Sequence, residues 1–364
     1  MSFSRGRARW AGGSAAVGVL LASLGGCEAV EPEPLPPNVQ SECALAQGDG
    51  PAIAVAYGPG GRGDRGINDS AFKGMVKALK RYDGTCIEDE AVDGESDTVR
   101  EERVRRMADA SDIVIAVGSA YDEAVNEVAP DFSKVRFAII DGQDIDDEAN
   151  TNVAYLRFAE DEGSFLVGAA AALKSKTDTV GFLGGIHDER TSRYEAGFRA
   201  GAMAVTPDVK LVVTYLKESA DQEKTPDDLS PTDAATDLFD QDADVVYQVD
   251  AGTGSGVFNA AVDAEAWAIG SDYDQYQTAN EDQRARVLTS MVKRTDTVTY
   301  DFVRRVETDQ APTGTLTYGV KARGVDYATS GGYVQNLVDR LDGLADRIAD
   351  GDVTIPEPAQ TPVG

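Results

Sequence analysis

The sequence predicts an α/β chain made of two lobes, each a doubly wound parallel sheet, facing one another across a ligand cleft. Three observations carry that expectation. Short apolar runs bounded by Gly and Pro alternate with segments whose apolar residues recur every three or four positions, the pattern of parallel strands joined by helices. The alternation runs twice, and its two series echo each other. Ile53-Ala-Val-Ala-Tyr-Gly-Pro-Gly-Gly61 with Phe72-Lys-Gly-Met75 matches Val180-Gly-Phe-Leu-Gly-Gly185 with Tyr194-Glu-Ala-Gly-Phe-Arg-Ala-Gly-Ala202, each an apolar strand, a Gly-rich turn and a helix. Finally, 364 residues at roughly 150 per domain are enough for two or three cores.

Taken in order, Met1 to Gly26 has a charged start with Arg5, Arg7 and Arg9 and a short apolar stretch from about Ala15 to Leu24. That stretch falls short of the roughly 20 residues needed to span a bilayer, so it reads as a secretory signal. Leu24-Gly25-Gly26-Cys27 resembles a bacterial lipobox, in which Cys27 becomes the acylated first residue of the mature chain. Residues 27–50 continue after Cys27 with Glu28-Ala-Val-Glu-Pro-Glu-Pro-Leu-Pro-Pro-Asn38, whose prolines preclude a helix and suit an extended tether. With Cys27 lipidated, Cys43 and Cys86 remain as a pair in an oxidising compartment, where a disulfide is expected.

The folded region is expected from Pro51 to about Pro356. Pro51 to Tyr57 reads as a buried parallel strand, followed by a Gly-rich turn and a helix with Phe72, Met75, Val76 and Leu79 on one face. Helix 98–108, strand 113–117, helix 121–128 and strand 137–140 continue the first series. Helix 162–174, strand 179–183 and helix 193–205 open the second, with Ser192 and Glu195 at capping-box spacing. Strands 210–215, 245–249 and 266–269 alternate with helices near 233–239 and 257–262. In such sheets ligands sit beyond the carboxyl ends of the strands, so the chemistry belongs to the strand-to-helix turns.

Composition narrows the function. The chain has 34 Lys and Arg against 63 Asp and Glu, a formal charge of −29, so neutralising phosphates of a nucleic acid is disfavoured. One His and three Cys leave little material for triad or zinc chemistry. No Gly-Lys-Ser/Thr occurs, which excludes a P-loop. Asp141-Gly-Gln-Asp-Ile-Asp-Asp147 looks like a cation loop but lacks the rest of an EF-hand, and reads as a solvated acidic loop. No metal or other cofactor is expected.

Seven segments then follow one another in a known order: Gly63-Asp64 with Asn68-Asp69-Ser70-Ala71, Glu162-Gly163-Ser-Phe-Leu-Val-Gly168, Val180-Gly-Phe-Leu-Gly-Gly185, Gly197-Phe-Arg-Ala-Gly-Ala202, Gly252-Thr-Gly-Ser-Gly256, Ile269-Gly-Ser-Asp272 and Leu288-Thr-Ser-Met-Val-Lys-Arg294. By these the chain, over nearly all of its mature length, resembles the basic membrane protein family, lipoprotein substrate-binding components of ABC importers whose best understood members bind purine nucleosides. The resemblance implies a type I periplasmic-binding-protein fold with three crossover strands, the last two near Asp272 and near Thr315 to Val320. The lobes would then comprise 51–155 plus 273–314 and 156–272 plus 315–364. It also implies a nucleoside as ligand, an ABC permease and its ATPase as partners, membrane attachment through the lipid, and no bond made or broken. A monomer is expected.

Candidate ligand residues follow from chemistry and resemblance together. Asp64 ends the first Gly-rich turn, where a carboxylate accepts hydroxyl hydrogen bonds, although turns are also where Asp is commonest. Asn68 lies beside it. Phe72, on the next helix, matches an aromatic that stacks on the base, against the plain reading of a core residue. The family usually has a second Phe where this chain has Ile67 and an aromatic where it has Lys217-Glu-Ser-Ala-Asp221, so Tyr121 or Tyr215 would have to substitute. Asp122 matches an acid on the base edge, or simply caps a helix. Gly252 and Gly254 allow close backbone approach to a sugar. Asp272 and Lys293 form a pair able to bind two vicinal hydroxyls, the carboxylate accepting and the ammonium donating. His187 reads as an incidental loop residue. Other readings are the same fold with a sugar or other hydrophilic ligand, a calcium-dependent nucleoside hydrolase, and a sensor or adhesion lipoprotein.

Overall fold

The computed structural model describes residues 42–143, 151–219, 222, 229–249 and 254–358. After the short α1 (Glu42–Leu45), strand β1 (Ala52–Tyr57) buries five of its six residues, as a strand covered on both faces must. There follow α2 (Ile67–Tyr82), β2 (Thr85–Glu90), α3 (Asp97–Asp109), β3 (Ile113–Val117), α4 (Asp122–Val128), β4 (Arg136–Ile140) and β5 (Val153–Phe158). The second series is α5 (Glu160–Lys174), β6 (Thr179–Ile186), α6 (Glu189–Val205), β7 (Lys210–Lys217), α7 (Pro231–Asp240), β8 (Val245–Val249), α8 (Gly254–Asp263), β9 (Trp267–Gly270), α9 (Glu281–Arg284) and β10 (Val287–Lys293). The chain closes with α10 (Thr295–Glu307), β11 (Gly314–Tyr318), β12 (Val325–Tyr327) and α11 (Val338–Ala349).

Two six-stranded sheets result, with strand orders β11-β5-β4-β3-β1-β2 and β12-β10-β9-β8-β6-β7. The pairings within them are parallel except β10 with β12. The doubly wound architecture predicted from the sequence is therefore present, and the chain passes between sheets three times: from β5 into α5, from β10 into α10, and from β11 to β12.

The crossovers differ in place from the expected ones. The second lies at Lys293–Thr295 rather than near Asp272, because β10 pairs with β9 in the second sheet before the chain leaves it. Residues 287–293 thus belong with the second lobe, and Thr315–Tyr318, expected there, hydrogen-bonds together with Gly314 to β5 in the first. The polar centre of β10 hides its strand character in the sequence. Thr289 and Ser290 are buried, and each is satisfied: the Thr289 hydroxyl donates to the Ala328 carbonyl at 2.6 Å and Ser290 Oγ accepts from Gln275 N–H at 3.1 Å.

Helix packing accounts for several sequence glycines. A Cβ at Gly168, Gly197 or Gly201 would strike backbone of the partner helix, so these positions let α5 and α6 approach closely. Similarly, Gly74 admits α10 against α2, where the Thr295 hydroxyl donates to the Ile67 carbonyl at 3.0 Å. Helix α6 starts at Glu189 and not Arg193. Its capping box is Asp188 with Thr191, which places the expected Ser192 and Glu195 pair inside the helix. Cys43 and Cys86 are joined by a disulfide with Cα atoms 5.3 Å apart, tying α1 to the edge strand β2.

Candidate functional site

The strand ends of the two sheets meet around one buried ammonium. Lys293 ends β10, and its side chain is wholly removed from solvent. Its Nζ donates to both oxygens of Asp141 at 2.9 and 2.8 Å, and lies 3.3 Å from Asp272 Oδ1 and 3.5 Å from Glu160 Oε1. Asp141 follows β4 in the first sheet, while Asp272 follows β9 in the second. Both take left-handed backbone angles, φ 60° and 69°, which Asp tolerates better than most residues and which turn each carboxylate off its strand end. Glu160 opens α5, where the helix dipole favours a negative charge.

A buried ammonium is costly unless paired, and here burial alone would lower the Lys293 pKa. Asp141 and Asp272 oppose that desolvation and hold the pKa above its ordinary value. For Asp272 the balance is the mirror image: burial would raise its pKa, but Lys293 and Arg190 keep it below the usual carboxylate range, helped by the Tyr194 hydroxyl donating at 2.7 Å. Arg190, on α6, adds a second cation against Asp141 at 2.8 Å. The solvated acidic loop expected at Asp141 is thus corrected at its first residue, which is an interlobe ion-pair partner; positions 144–147 lie outside the described residues.

Asp122, in the first turn of α4, is buried and accepts from Gln143 N–H through Oδ2 at 2.9 Å, while Oδ1 has no partner among the described residues. Burial, together with the nearby charge of Asp141, pushes its pKa up to about 6. An acid held in this way takes a proton or a hydrogen-bond donor readily.

Asp64 spends its carboxylate on its own turn. Oδ1 accepts from Gly66 and Asp69 N–H at 2.8 and 3.1 Å and Oδ2 from Asn68 N–H at 2.9 Å, satisfying the start of α2. Asn68 is buried and accepts from Gly58 N–H at 3.0 Å, stapling the end of β1 to α2. Both nevertheless border a cavity of about 260 Å³ with Gly118 of the first lobe and Tyr273 of the second. A second cavity, about 180 Å³, lies against Ser119, Asp141, Arg157, Glu160 and Arg190.

The aromatics are already engaged. Phe72 is core, and the Arg62 guanidinium lies 3.1 Å from its ring centre. Tyr121 is buried and donates to the Tyr57 carbonyl at 3.0 Å, which removes it as a stacking substitute. Tyr215 stacks on His187 with ring centres 4.2 Å apart, so His187, read as incidental, is part of a two-ring platform at the end of β6. Gly254 starts α8, where a Cβ would come 2.8 Å from Gln275 Oε1; its small size serves packing against that side chain. Cys27 and Gly252 lie outside the described residues.

From the sequence, Asp141 is named only as part of a solvated acidic loop, and Glu160, Arg190 and Tyr273 not at all. Asp141 directly follows a correctly placed strand and had the same signal as Asp272, an Asp at a strand end. Arg190 and Glu160 carried none, since Arg190 pairs with Asp141 of the opposite lobe and Glu160 with Lys293, Arg190 and Arg193 from distant segments. Among the described residues no cluster of three or more His, Cys, Asp or Glu side chains is arranged to hold a metal ion.

Residues 52–357 match the family model Bmp, described as ABC transporter substrate-binding protein PnrA-like. The chain is 31% identical to the CD4+ T-cell-stimulating antigen of Listeria monocytogenes, over 84% of this chain and 88% of that protein. It is also 31% identical to the ABC transporter nucleoside-binding protein BmpA of Lactococcus lactis, over 67% of this chain and 71% of that one. Among solved structures, an ABC transporter solute-binding protein from Conexibacter woesei superposes with a TM-score of 0.68 at 22% identity, covering 85% of this chain and all of that one. A solute-binding protein from Aeropyrum pernix gives 0.63 at 21% identity, with 85% and 94% covered.

Proposed function

The chain belongs to the Bmp family of PnrA-like ABC transporter substrate-binding proteins, and from that premise we propose that it captures a small polar metabolite, a purine or other nucleoside, outside the membrane and delivers it to an ABC permease and its ATPase. Cys27 carries the lipid that holds it at the membrane surface. The protein makes and breaks no bond.

The observation that carries this reading is the position of Asp272 and Lys293, 3.3 Å apart at the strand ends of one lobe and bridged to Asp141 of the other. A carboxylate and an ammonium so placed suit a vicinal diol, one accepting and the other donating. Asp122 offers an unmatched oxygen to a base N–H. Closure about the three crossovers makes these contacts together, so ligand shifts the population toward the closed form. The BmpA relative, named a nucleoside-binding protein, supports the ligand class.

A second reading keeps the fold and exchanges the nucleoside for a sugar or other hydrophilic ligand. It is favoured by Arg62, which covers the Phe72 face that a base would need.

Calorimetric titration of a soluble form beginning at Glu28 with adenosine, guanosine, inosine, uridine, ribose and free bases separates the two. Saturable heat from purine nucleosides, weakened in Asp272→Ala and Asp122→Ala, supports the first. Heat from ribose alone, or from no nucleoside while another metabolite co-purifies, overturns it.

A further inference from the structure

We propose that the cavity beside the nucleoside cleft is an anion subsite, so that the preferred ligand is a nucleoside carrying a phosphate monoester; this rests on the nucleoside reading above. The cavity, about 470 Å³, lies between the start of α2 and the ends of β9 and β10, and shares Gly66 and Tyr273 with the smaller cavity that Asp64 and Asn68 border.

Its charge runs against that of the chain. Overall there are 63 acids to 34 bases, yet this wall sets Arg65, Lys73 and Arg294 against Asp69, Asp274 and Asp296 in equal number, while Lys293 borders it with an ammonium already held by Asp141, Asp272 and Glu160. Each of those acids is already engaged. Asp69 accepts from Gly63 and Arg65 N–H at 2.9 and 3.0 Å and pairs with Arg62; Asp296 is gripped by Arg294 through two contacts of 2.8 Å; Asp274 accepts from the Ser330 hydroxyl at 2.8 Å. The cations are not equally engaged. Lys73, one turn along α2 from Asp69 and Ser70, is exposed; its charge acts on Asp296, which Arg294 already grips, and its ammonium makes no hydrogen bond among the described residues. Arg65 makes one long hydrogen bond, 3.4 Å to the Gln277 carbonyl, and keeps its remaining donors.

Two cations with spare donors on a wall whose acids are spoken for make a place for a compact anion. The residues come from both lobes, since Arg65 and Lys73 belong to the first and Tyr273 and Gln277 to the second. An anion seated there therefore adds to closure, and a nucleoside reaching from the smaller cavity would present its phosphate here.

The test is titration of the purified protein with inosine, inosine monophosphate and inorganic phosphate at low and high salt, in the wild type and in Lys73→Ala and Lys73→Glu. The monophosphate is expected to bind about tenfold more tightly than the nucleoside at low salt, a difference typical of one charge-assisted contact. Lys73→Ala should remove most of that advantage and Lys73→Glu reverse it, with inosine affinity unchanged in both. Equal affinity for the two ligands, rejection of the monophosphate, or an advantage indifferent to Lys73 overturns the subsite and leaves the nucleoside reading standing. Heat from phosphate that is sensitive to Lys73, with none from inosine, keeps the subsite and overturns the nucleoside reading. No heat from any of the three overturns both.

Discussion

Asp141 and Lys293 stand at the ends of strands in different sheets, and both carboxylate oxygens of the one lie within 2.9 Å of the ammonium of the other. The contact joins the lobes directly, beside the second crossover, which begins at Lys293, and apart from the other two. Lys293 has no exposure to water, so the pair is shielded from the screening that makes surface ion pairs weak.

Asp141→Ala should therefore loosen closure. Removing one partner of a buried pair costs about 3–5 kcal/mol, and the remaining carboxylates of Asp272 and Glu160 put the expected loss near about 3 kcal/mol. Small-angle scattering without ligand should give a larger radius of gyration, with a lower unfolding midpoint in urea. An unchanged scattering curve would mean that the crossovers alone set the lobe angle.

Lys293→Met should cost more, since it leaves Asp141, Asp272 and Glu160 facing one another. In the wild type the Asp272 pKa lies below its unfolded value, so its contribution is present above about pH 4 and lost as pH falls through the depressed folded value. In the variant that sign inverts: without the ammonium, protonation relieves repulsion, and stability should rise as pH drops from 7 to 5. Urea unfolding at several pH values reads this directly.

Asp122 titrates the other way. Its folded pKa of about 6 is above the unfolded value, so the folded protein binds the extra proton and stability falls as pH rises from about 4 to 6. Asp122→Asn keeps an acceptor for Gln143 and removes the charge. It should stabilise the protein at pH 7 by up to about 3 kcal/mol and flatten the slope across that window. If Asp122 receives a base N–H, the same variant also weakens nucleoside binding, which a purely structural acid would not.

Arg62 covers Phe72, and also pairs with Asp69 and Glu88 at 3.2 and 3.1 Å. Those pairs are partly exposed, so Arg62→Ala should cost about 1 kcal/mol or less in stability. A purine that stacks on Phe72 has to displace the guanidinium. Arg62→Ala should then tighten purine nucleosides several-fold and leave ribose untouched, whereas equal effects on both would favour the sugar reading.

The disulfide closes a loop of 43 residues, and chain entropy alone assigns such a crosslink about 4 kcal/mol. Cys43→Ser with Cys86→Ser should lower the thermal midpoint by an amount that reductant reproduces in the wild type. Differential scanning calorimetry of the two proteins, with and without reductant, checks it.

What could be read from the residues was what local pattern encodes. Continuous apolar runs such as Ile113 to Val117 and Val245 to Val249 announced buried parallel strands, and their repetition announced two lobes, because each such strand must be covered on both faces. Asp272 and Lys293 were legible as a pair, since each ends a recognisable segment. Strand β10 was not legible as a strand, because Thr289 and Ser290 are buried only by virtue of partners from other segments.

The sequence by itself thus determined the architecture, the strand-end location of the chemistry and the acidic surface, all consequences of composition and short-range periodicity. Tertiary structure alone decided that Asp141 of one lobe would neutralise Lys293 of the other, that Arg62 would cover Phe72, and that Asp64 would be consumed by its own turn. The reason is physical: a carboxylate or guanidinium in a turn is free to serve water, backbone or ligand. Which of these it serves depends on groups that folding brings to within a few ångströms from distant parts of the chain.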